Sequence, residues 1–217
     1  MSKKAIIFDL DGVLVNSQPF HFDVDIKALQ AFGACPTLED VKQYAGMALI
    51  DRVKNFIESF AITATTEQVV DYHITTMMNL LETTALHPIK GVAELLALLK
   101  NRNIATSVAS SSSPAFIVKM LDKLRLTQYF DFIISGEDME RSKPAPDVFL
   151  FAANKHGLTV NECVVVEDST NGVAAAKAAN IYCVGYINHT SGEQDISRAD
   201  IVVDSFFKLI DDKVWLS

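Results

Sequence analysis

Short apolar segments alternate with helical patterns from residue 88 onwards, and this alternation is the feature that most restricts the fold. Strands are predicted at 5–8, 104–109, 132–134, 163–166, 181–184 and 201–203, and helices at 91–100, 114–124, 147–156 and 170–179. Such alternation is typical of a parallel sheet with helices on both faces. The sequence therefore predicts an α/β fold whose core is a doubly wound, Rossmann-like parallel sheet.

The segment between the first two predicted strands has a different pattern. Its apolar residues recur at helical spacing over 20–33, 37–43, 48–60 and 66–86, and no convincing strand interrupts them. Thr37 and Asp40 have the spacing of a capping box. We therefore expect an all-α cap domain at 17–87, inserted into an α/β core made of 1–16 and 88–217.

Composition excludes several classes of protein. The 217 residues are 49% apolar and 21% charged. The sequence contains no run of eighteen apolar residues, so no membrane span is expected. The net charge of −8, without a basic stripe, argues against a nucleic-acid partner. Cys35, Cys163 and Cys183 are widely spaced in apolar contexts, so we expect buried thiols in a reducing compartment. Since the N-terminus is a poor signal peptide, a cytoplasmic protein is expected.

Polar side chains follow four of the predicted strands. They are Asp9 and Asp11 after the first, Ser110 and Ser111 after the second, Lys143 in the loop after the third, and Glu167 and Asp168 after the fourth. Ligands of doubly wound sheets bind outside the carboxyl ends of the strands. We therefore expect these side chains to converge on one site.

Each of these residue types fits a task in phosphoryl transfer. The carboxylates of Asp9, Asp11 and Asp168 can hold Mg²⁺, with Glu167 bound to the ion or to its ligands. Mg²⁺ and a lysine together neutralise a phosphate dianion, while serine hydroxyls and N–H groups at a helix N-terminus bind phosphoryl oxygens. One aspartate can then attack phosphorus, and the other can move a proton to the leaving alcohol and from water.

Structural alternatives exist for each residue. Asp-x-Asp-Gly is common in turns, and Ser110 could cap the helix that comes after it. Lys143 could be a surface residue before a proline turn, and Glu167 with Asp168 could cap the 170–179 helix, whose N-terminus favours negative charge. Their joint occurrence at four strand ends favours the functional interpretation.

The set D9-x-D11-G12-V13, Ser110, Lys143-Pro144 and Glu167-Asp168 resembles the haloacid dehalogenase-like superfamily of phosphohydrolases. The stretches V-E-D-S-x-x-G at 166–172 and S-K-P-A-P-D at 142–147 are similar to its β-phosphoglucomutase-like phosphatase subgroup, which has a helical cap. The resemblance implies Asp9 as nucleophile, Asp11 as general acid/base, and Ser110 and Lys143 as phosphate binders. It also implies Mg²⁺ on Asp9, Asp168 and the backbone carbonyl of Asp11.

The predicted cap contains the candidate substrate residues, and there the chain departs from the mutases of this subgroup. His21 stands where mutases carry a histidine that acts through the acid/base aspartate, and Gly46 matches the glycine of their substrate loop. Ala45 and Leu49 replace the lysine and the arginine that flank that glycine in mutases. Met47 and Arg52 are further candidates. A mutase must hold a bisphosphate with cations at both ends of its site, so hydrolysis is favoured.

We therefore expect a Mg²⁺-dependent phosphatase that acts on a small phosphorylated metabolite, such as a sugar phosphate, through an aspartyl-phosphate intermediate. A β-phosphoglucomutase-type mutase is the alternative. A receiver-type phospho-switch, a different class, is disfavoured by the long helical insertion and by the D-x-D spacing. The expected partner is a small-molecule phosphate ester, and the protein is expected to be a monomer.

Overall fold

In the computed structural model, which describes residues 2–44, 47, 49–212 and 214–216, six parallel strands form one sheet. The strands are β1 (Ala5–Phe8), β2 (Ala105–Ser110), β3 (Phe132–Ser135), β4 (Cys163–Glu167), β5 (Tyr182–Tyr186) and β6 (Ile201–Val203). Their spatial order is β3-β2-β1-β4-β5-β6, and every neighbouring pair is parallel. This order reverses direction at β1, where doubly wound folds bind their ligands. The predicted α/β fold class is confirmed.

The helices are α1 (Gln18–Ala31), α2 (Leu38–Lys42), α3 (Leu49–Ser59), α4 (Thr66–Thr83), α5 (Val92–Asn101), α6 (Pro114–Lys123), α7 (Asp147–Lys155), α8 (Thr170–Ala178) and α9 (Phe206–Asp211). Short 3-10 turns occupy Thr127–Tyr129, Gly136–Asp138, Val160–Glu162 and Val214–Leu216. None of the helices in the described part of the chain combines the length and the hydropathy that crossing a bilayer requires.

Contacts divide the chain into two compact units, Met1–Asn16 with Leu86–Ser217, and Ser17–Ala85. In the first unit the central strands β1 and β4 are buried along their whole length, which explains why both are continuous apolar runs. Ala5 and Ile7 pack with residues of α7 and α8 in one core cluster. Ile6 and Phe8, also fully buried, point to the opposite face because side chains alternate along a strand.

The second unit consists of α1 to α4 and has its own apolar core, which includes Leu29, Val53 and Phe56. Capping boxes at Thr37 and Thr65 start α2 and α4, so the box predicted for Thr37 and Asp40 is confirmed. At the point where the chain leaves and re-enters the first unit, the Ile89 N–H donates to the Leu14 carbonyl at 2.9 Å, and Val15 forms a β-bridge with Pro88.

The six predicted strands are all present, with ends shifted by at most two residues. Helix α9 was not predicted, because its apolar pattern spans fewer than two turns. The expectation of three buried thiols is wrong for Cys35, which is exposed in the loop between α1 and α2, whereas Cys163 and Cys183 are buried on β4 and β5.

Candidate active site

Lys143 lies at the centre of the polar groups at the strand ends. Its ammonium donates to Asp9 Oδ1 at 2.6 Å, to Glu167 Oε1 at 2.7 Å and to the Ala109 carbonyl at 3.0 Å. Only 6% of its side chain is exposed, so the alternative of a surface lysine is wrong. Burial alone would lower the pKa of Lys143, but the two carboxylates outweigh it and hold that pKa above its ordinary value.

Glu167 is fixed by the start of α8. Its Oε2 accepts hydrogen bonds from the backbone N–H groups of Asp168 and Ser169, both at 3.0 Å, and from the Ser169 hydroxyl at 2.9 Å. Ser169, and not an acidic residue, is the N-cap of α8, and it accepts from the Gly172 N–H at 3.0 Å. A Cβ on Gly172 would lie 1.8 Å from the Glu167 carboxylate, so this position has no room for a side chain.

Asp9, Glu167 and Asp168 form a buried carboxylate cluster whose ligand oxygens all lie within 4.8 Å of one another. Burial raises the pKa of Asp9 well above its ordinary value, although Lys143 opposes the rise. Burial and then the Glu167 charge raise the pKa of Asp168 to about 7. Three carboxylates beside one ammonium leave an excess of negative charge that a divalent cation would offset. An all-oxygen donor set is the one that Mg²⁺ prefers, so the residues fit this ion.

Gly12 lets the backbone approach this cluster closely. Its φ is +84°, and a Cβ there would lie 1.9 Å from Asp168 Oδ2. Any other residue at this position would be strained and would collide with the carboxylate. The turn after β1 therefore requires glycine at this point.

Asp11 contributes no carboxylate oxygen to the cluster found among the described residues. Its Oδ2 instead accepts a hydrogen bond at 2.8 Å from the Ser112 hydroxyl, in the loop after β2. The Ser112 N–H donates in turn to Ser110 Oγ at 3.1 Å. Ser110 is buried and Ser111 is exposed. The N-cap of α6 is Ser113, so the alternative of Ser110 as a helix cap is wrong.

Three residues that contact this region were not predicted from the sequence. They are Ser112, Ser191, whose hydroxyl donates to Asp168 Oδ2, and Asn188, whose amide donates to the Gly12 carbonyl at 2.9 Å. Asn188 and Ser191 lie in the loop after β5. Both could have been found from their position after the carboxyl end of a strand, the criterion that identified the other candidates.

The candidate substrate residues of the helical unit lie in a different chemical environment. The Arg52 Nε on α3 is 3.4 Å from Asp25 Oδ1 on α1, and the His73 Nε2 on α4 is 2.8 Å from the same oxygen. His21 on α1 is half-buried, with its ring edge-to-face against Phe20 at 5.5 Å. Met47 is exposed. Gly46 lies outside the described residues.

Comparison with known proteins identifies a family and two related phosphatases. The family model described as haloacid dehalogenase-like hydrolase matches residues 6–186. A phosphoglycolate phosphatase of Pseudomonas syringae pv. tomato is 31% identical, and the similarity covers 95% of this chain and 78% of that protein. A phosphorylated carbohydrates phosphatase of Thermotoga maritima is 27% identical over 197 residues, with 86% of each chain covered.

A solved structure extends the similarity to the whole fold. The crystal structure of a β-phosphoglucomutase from Clostridium difficile superimposes with a TM-score of 0.77 at 24% identity, covering 95% of this chain and 93% of that chain. At this identity the likeness shows the fold alone.

Proposed function

Because the chain belongs to the haloacid dehalogenase-like hydrolase family, we propose that it is a phosphoric monoester hydrolase acting on a small phosphorylated metabolite. The observation that carries the proposal is the buried Lys143 ammonium, which binds both Asp9 and Glu167 beside Asp168 at the ends of β1 and β4. The similarity to a phosphoglycolate phosphatase and to a phosphorylated carbohydrates phosphatase supports one of these two kinds of compound as the class of substrate.

Asp9 is the proposed nucleophile. Its carboxylate attacks phosphorus, the bond from phosphorus to the ester oxygen breaks, and an aspartyl-phosphate forms. The Lys143 ammonium, 2.6 Å from Asp9 Oδ1, orients the carboxylate and offsets the negative charge that the phosphoryl group brings. Ser110, Ser111 and the N–H groups before α6 are proposed to bind the phosphoryl oxygens.

Asp11 is the proposed general acid/base. In the first step it gives a proton to the departing ester oxygen and becomes a carboxylate. In the second step it takes a proton from the water that attacks the aspartyl-phosphate, which releases inorganic phosphate and restores Asp9. Its carboxylate oxygens are not part of the metal-binding cluster found among the described residues, which suits a role in proton transfer and not in metal binding.

Mg²⁺ is the proposed cofactor. Asp9 and Asp168 would hold it, together with the backbone carbonyl of Asp11 that the family resemblance assigns, and Glu167 would bind it or its ligands. When bound, the ion neutralises charge on the carboxylates and on the transferred phosphoryl group. The hydrogen bonds from Lys143 hold Asp9 and Glu167 side by side.

The helical unit is the proposed cap domain. His21, Gly46, Met47 and Arg52 stay its candidate substrate residues, and their roles stay predictions. The mutase alternative gains no specific support, because the likeness to a β-phosphoglucomutase shows the fold alone. The cytoplasmic location and the monomeric state also stay predictions.

A phosphate-release assay with Mg²⁺ tests the proposal, with 2-phosphoglycolate, sugar phosphates and p-nitrophenyl phosphate as substrates. Asp9→Asn removes the attacking carboxylate, so we expect the rate to fall by at least about a thousandfold. Asp204→Asn, an exposed position in the same unit, is the matched control and should keep the wild-type rate. An Asp9→Asn variant with a tenth of the wild-type rate, or full activity in EDTA, would refute the mechanism.

A further inference from the structure

Three serines connect the end of β3 to Asp11. The Ser135 hydroxyl donates to the Ser112 carbonyl at 2.7 Å and accepts from the Glu137 N–H at 3.1 Å. Ser135 is buried, and it pairs in register with Ser110, the last residue of β2. The Ser112 N–H also donates to Ser110 Oγ, so the backbone of Ser112 is hydrogen-bonded on both sides of its Cα. The Ser112 side chain is thereby presented to Asp11 Oδ2 at 2.8 Å.

The direction of this last hydrogen bond determines its chemical effect. A hydroxyl that donates to a carboxyl group interacts more strongly with the ionised form than with the acid. In the proposed mechanism Asp11 becomes ionised as the leaving group departs. The bond from Ser112 therefore strengthens in the transition state, which is the condition for an interaction to accelerate the step.

We propose that Ser112 is a positioning residue for Asp11, which it orients and stabilises as the carboxylate, while Ser135 holds the loop that carries it. This inference rests on the proposed function, because it requires Asp11 to be the general acid/base. Neither neighbour of Ser112 offers the same contact: Ser111 is exposed, and Ser113 starts α6.

Two aryl phosphates of nearly equal shape separate this role from a merely structural one. p-Nitrophenyl phosphate releases a good leaving group that needs little protonation, whereas phenyl phosphate releases a poorer one that depends on the general acid. We use kcat/KM, which for this mechanism reports the steps up to aspartyl-phosphate formation and excludes the later attack by water.

Ser112→Ala should lower kcat/KM for phenyl phosphate by about tenfold to a hundredfold, the range of a lost hydrogen bond to a charged group, and for p-nitrophenyl phosphate by about twofold or less. Ser112→Thr, which keeps a hydroxyl, should restore most of the phenyl phosphate activity. Asp204→Asn, at an exposed position outside the proposed site, is the control and should leave the activity on both substrates unchanged. Both substrates are measured on the same sample, so a partly unfolded variant loses the same fraction of activity on each. The ratio of the two kcat/KM values therefore still separates the two roles.

A double-mutant cycle identifies the partner. On an Asp11→Ala background, Ser112→Ala should cause no further loss, since residues that act as a unit are not additive. The inference would be overturned if Ser112→Ala lost the same fraction of activity on both substrates, or kept full activity on phenyl phosphate, while Asp11→Ala still lost more on phenyl phosphate than on p-nitrophenyl phosphate. If Asp11→Ala itself reduces both substrates equally, the acid/base assignment in the proposed function has failed instead.

Discussion

Gly172 shows how closely single residues are packed around the carboxylates. It lies in the first turn of α8 with an ordinary backbone conformation, where alanine would normally favour the helix by about 1 kcal/mol. Here the added Cβ would lie 1.8 Å from the Glu167 side chain. The carboxylate would have to move, although it is bound by Lys143 and by the N-terminus of α8.

Gly172→Ala should therefore destabilise the protein by about 1–3 kcal/mol, as overpacking does, in spite of its better helix propensity. It should also lower the phosphatase rate, because the movement of Glu167 disturbs the ammonium that orients Asp9. Urea unfolding and the phosphate-release assay measure the two effects. Gly157→Ala is the comparison, since that position has a φ of +68° but nothing within 4 Å of an added Cβ. A Gly172→Ala protein more stable than the wild type would contradict the packing argument.

Residue types and strand ends were predictable, but individual contacts were not. The candidate residues Asp9, Lys143, Glu167 and Asp168 could be chosen from the sequence because each lies at or after the carboxyl end of a strand of one parallel sheet. Ser112 could not be distinguished from its three serine neighbours, because the turn of the loop decides which hydroxyl faces Asp11. The roles of all these residues stay predictions until the variants are measured.

Helices α1, α3 and α4 share a buried polar cluster, Asp25, Arg52 and His73, which no local sequence motif predicts. Asp25 Oδ1 only accepts, so the neutral His73 ring carries its proton on Nε2 and donates it across 2.8 Å. The Nδ1 atom of His73 is buried and has no hydrogen-bond partner among the described residues. Burial lowers the pKa of His73, and the nearby Arg52 and His21 lower it further, while Asp25 opposes them. The residues of this pair are 48 positions apart, so only tertiary packing brings them together.

The lowered pKa of His73 predicts that acid destabilises the protein. Below pH 6.5, the ordinary value, the unfolded chain binds a proton that the folded chain does not. His73 therefore contributes its full stability above that pH and loses it as the pH falls, by up to about 1.4 kcal/mol per pH unit until the folded pKa is reached.

Urea unfolding at pH 8 and pH 5.5 measures the effect by comparison with His73→Gln, which does not titrate. The stability difference between the wild type and this variant should shrink at pH 5.5. His87→Gln, at an exposed position, should follow the wild type at both values. A difference that grows in acid would show that Asp25 outweighs burial and would contradict the prediction.

At the scale of the whole molecule, the chain has a net negative charge and also buries a cluster of carboxylates. The net charge is −8, and Asp9, Glu167 and Asp168 are buried near the ammonium of Lys143. A cation that binds these groups only when they are assembled stabilises the folded state by mass action. Metal binding should therefore be visible in stability as well as in activity.

Mg²⁺ at roughly one hundred times its dissociation constant should stabilise the wild type by about 2.7 kcal/mol, which corresponds to a rise in Tm of roughly 5–10 °C. Asp168→Asn should abolish most of this rise, and Asp204→Asn should leave it intact. Differential scanning fluorimetry with and without Mg²⁺ makes the comparison. An unchanged Tm in the wild type, or an equal rise in Asp168→Asn, would argue against a metal site at this cluster.

The general architecture could be predicted from the sequence because it depends on repeated local signals. Apolar runs such as Ala5–Phe8, and the helical spacing after them, predict a parallel sheet whatever the details of packing. The ends of elements and α9 depend on contacts between distant parts of the chain, and the exposure of Cys35 depends on the path of one loop. These quantities have no local signature, so they could not be predicted.

The pairing of β1 with distant strands also determines when the carboxylate cluster can form during synthesis of the chain. Ala5 pairs with Ala105 on one side and with Cys163 on the other. Translation therefore produces Asp9 long before Lys143, which binds it, and Glu167 are made, and closing such long loops slows folding. The growing chain therefore carries Asp9 without these partners until β4 is made, so we expect the buried carboxylate cluster to assemble in one late step.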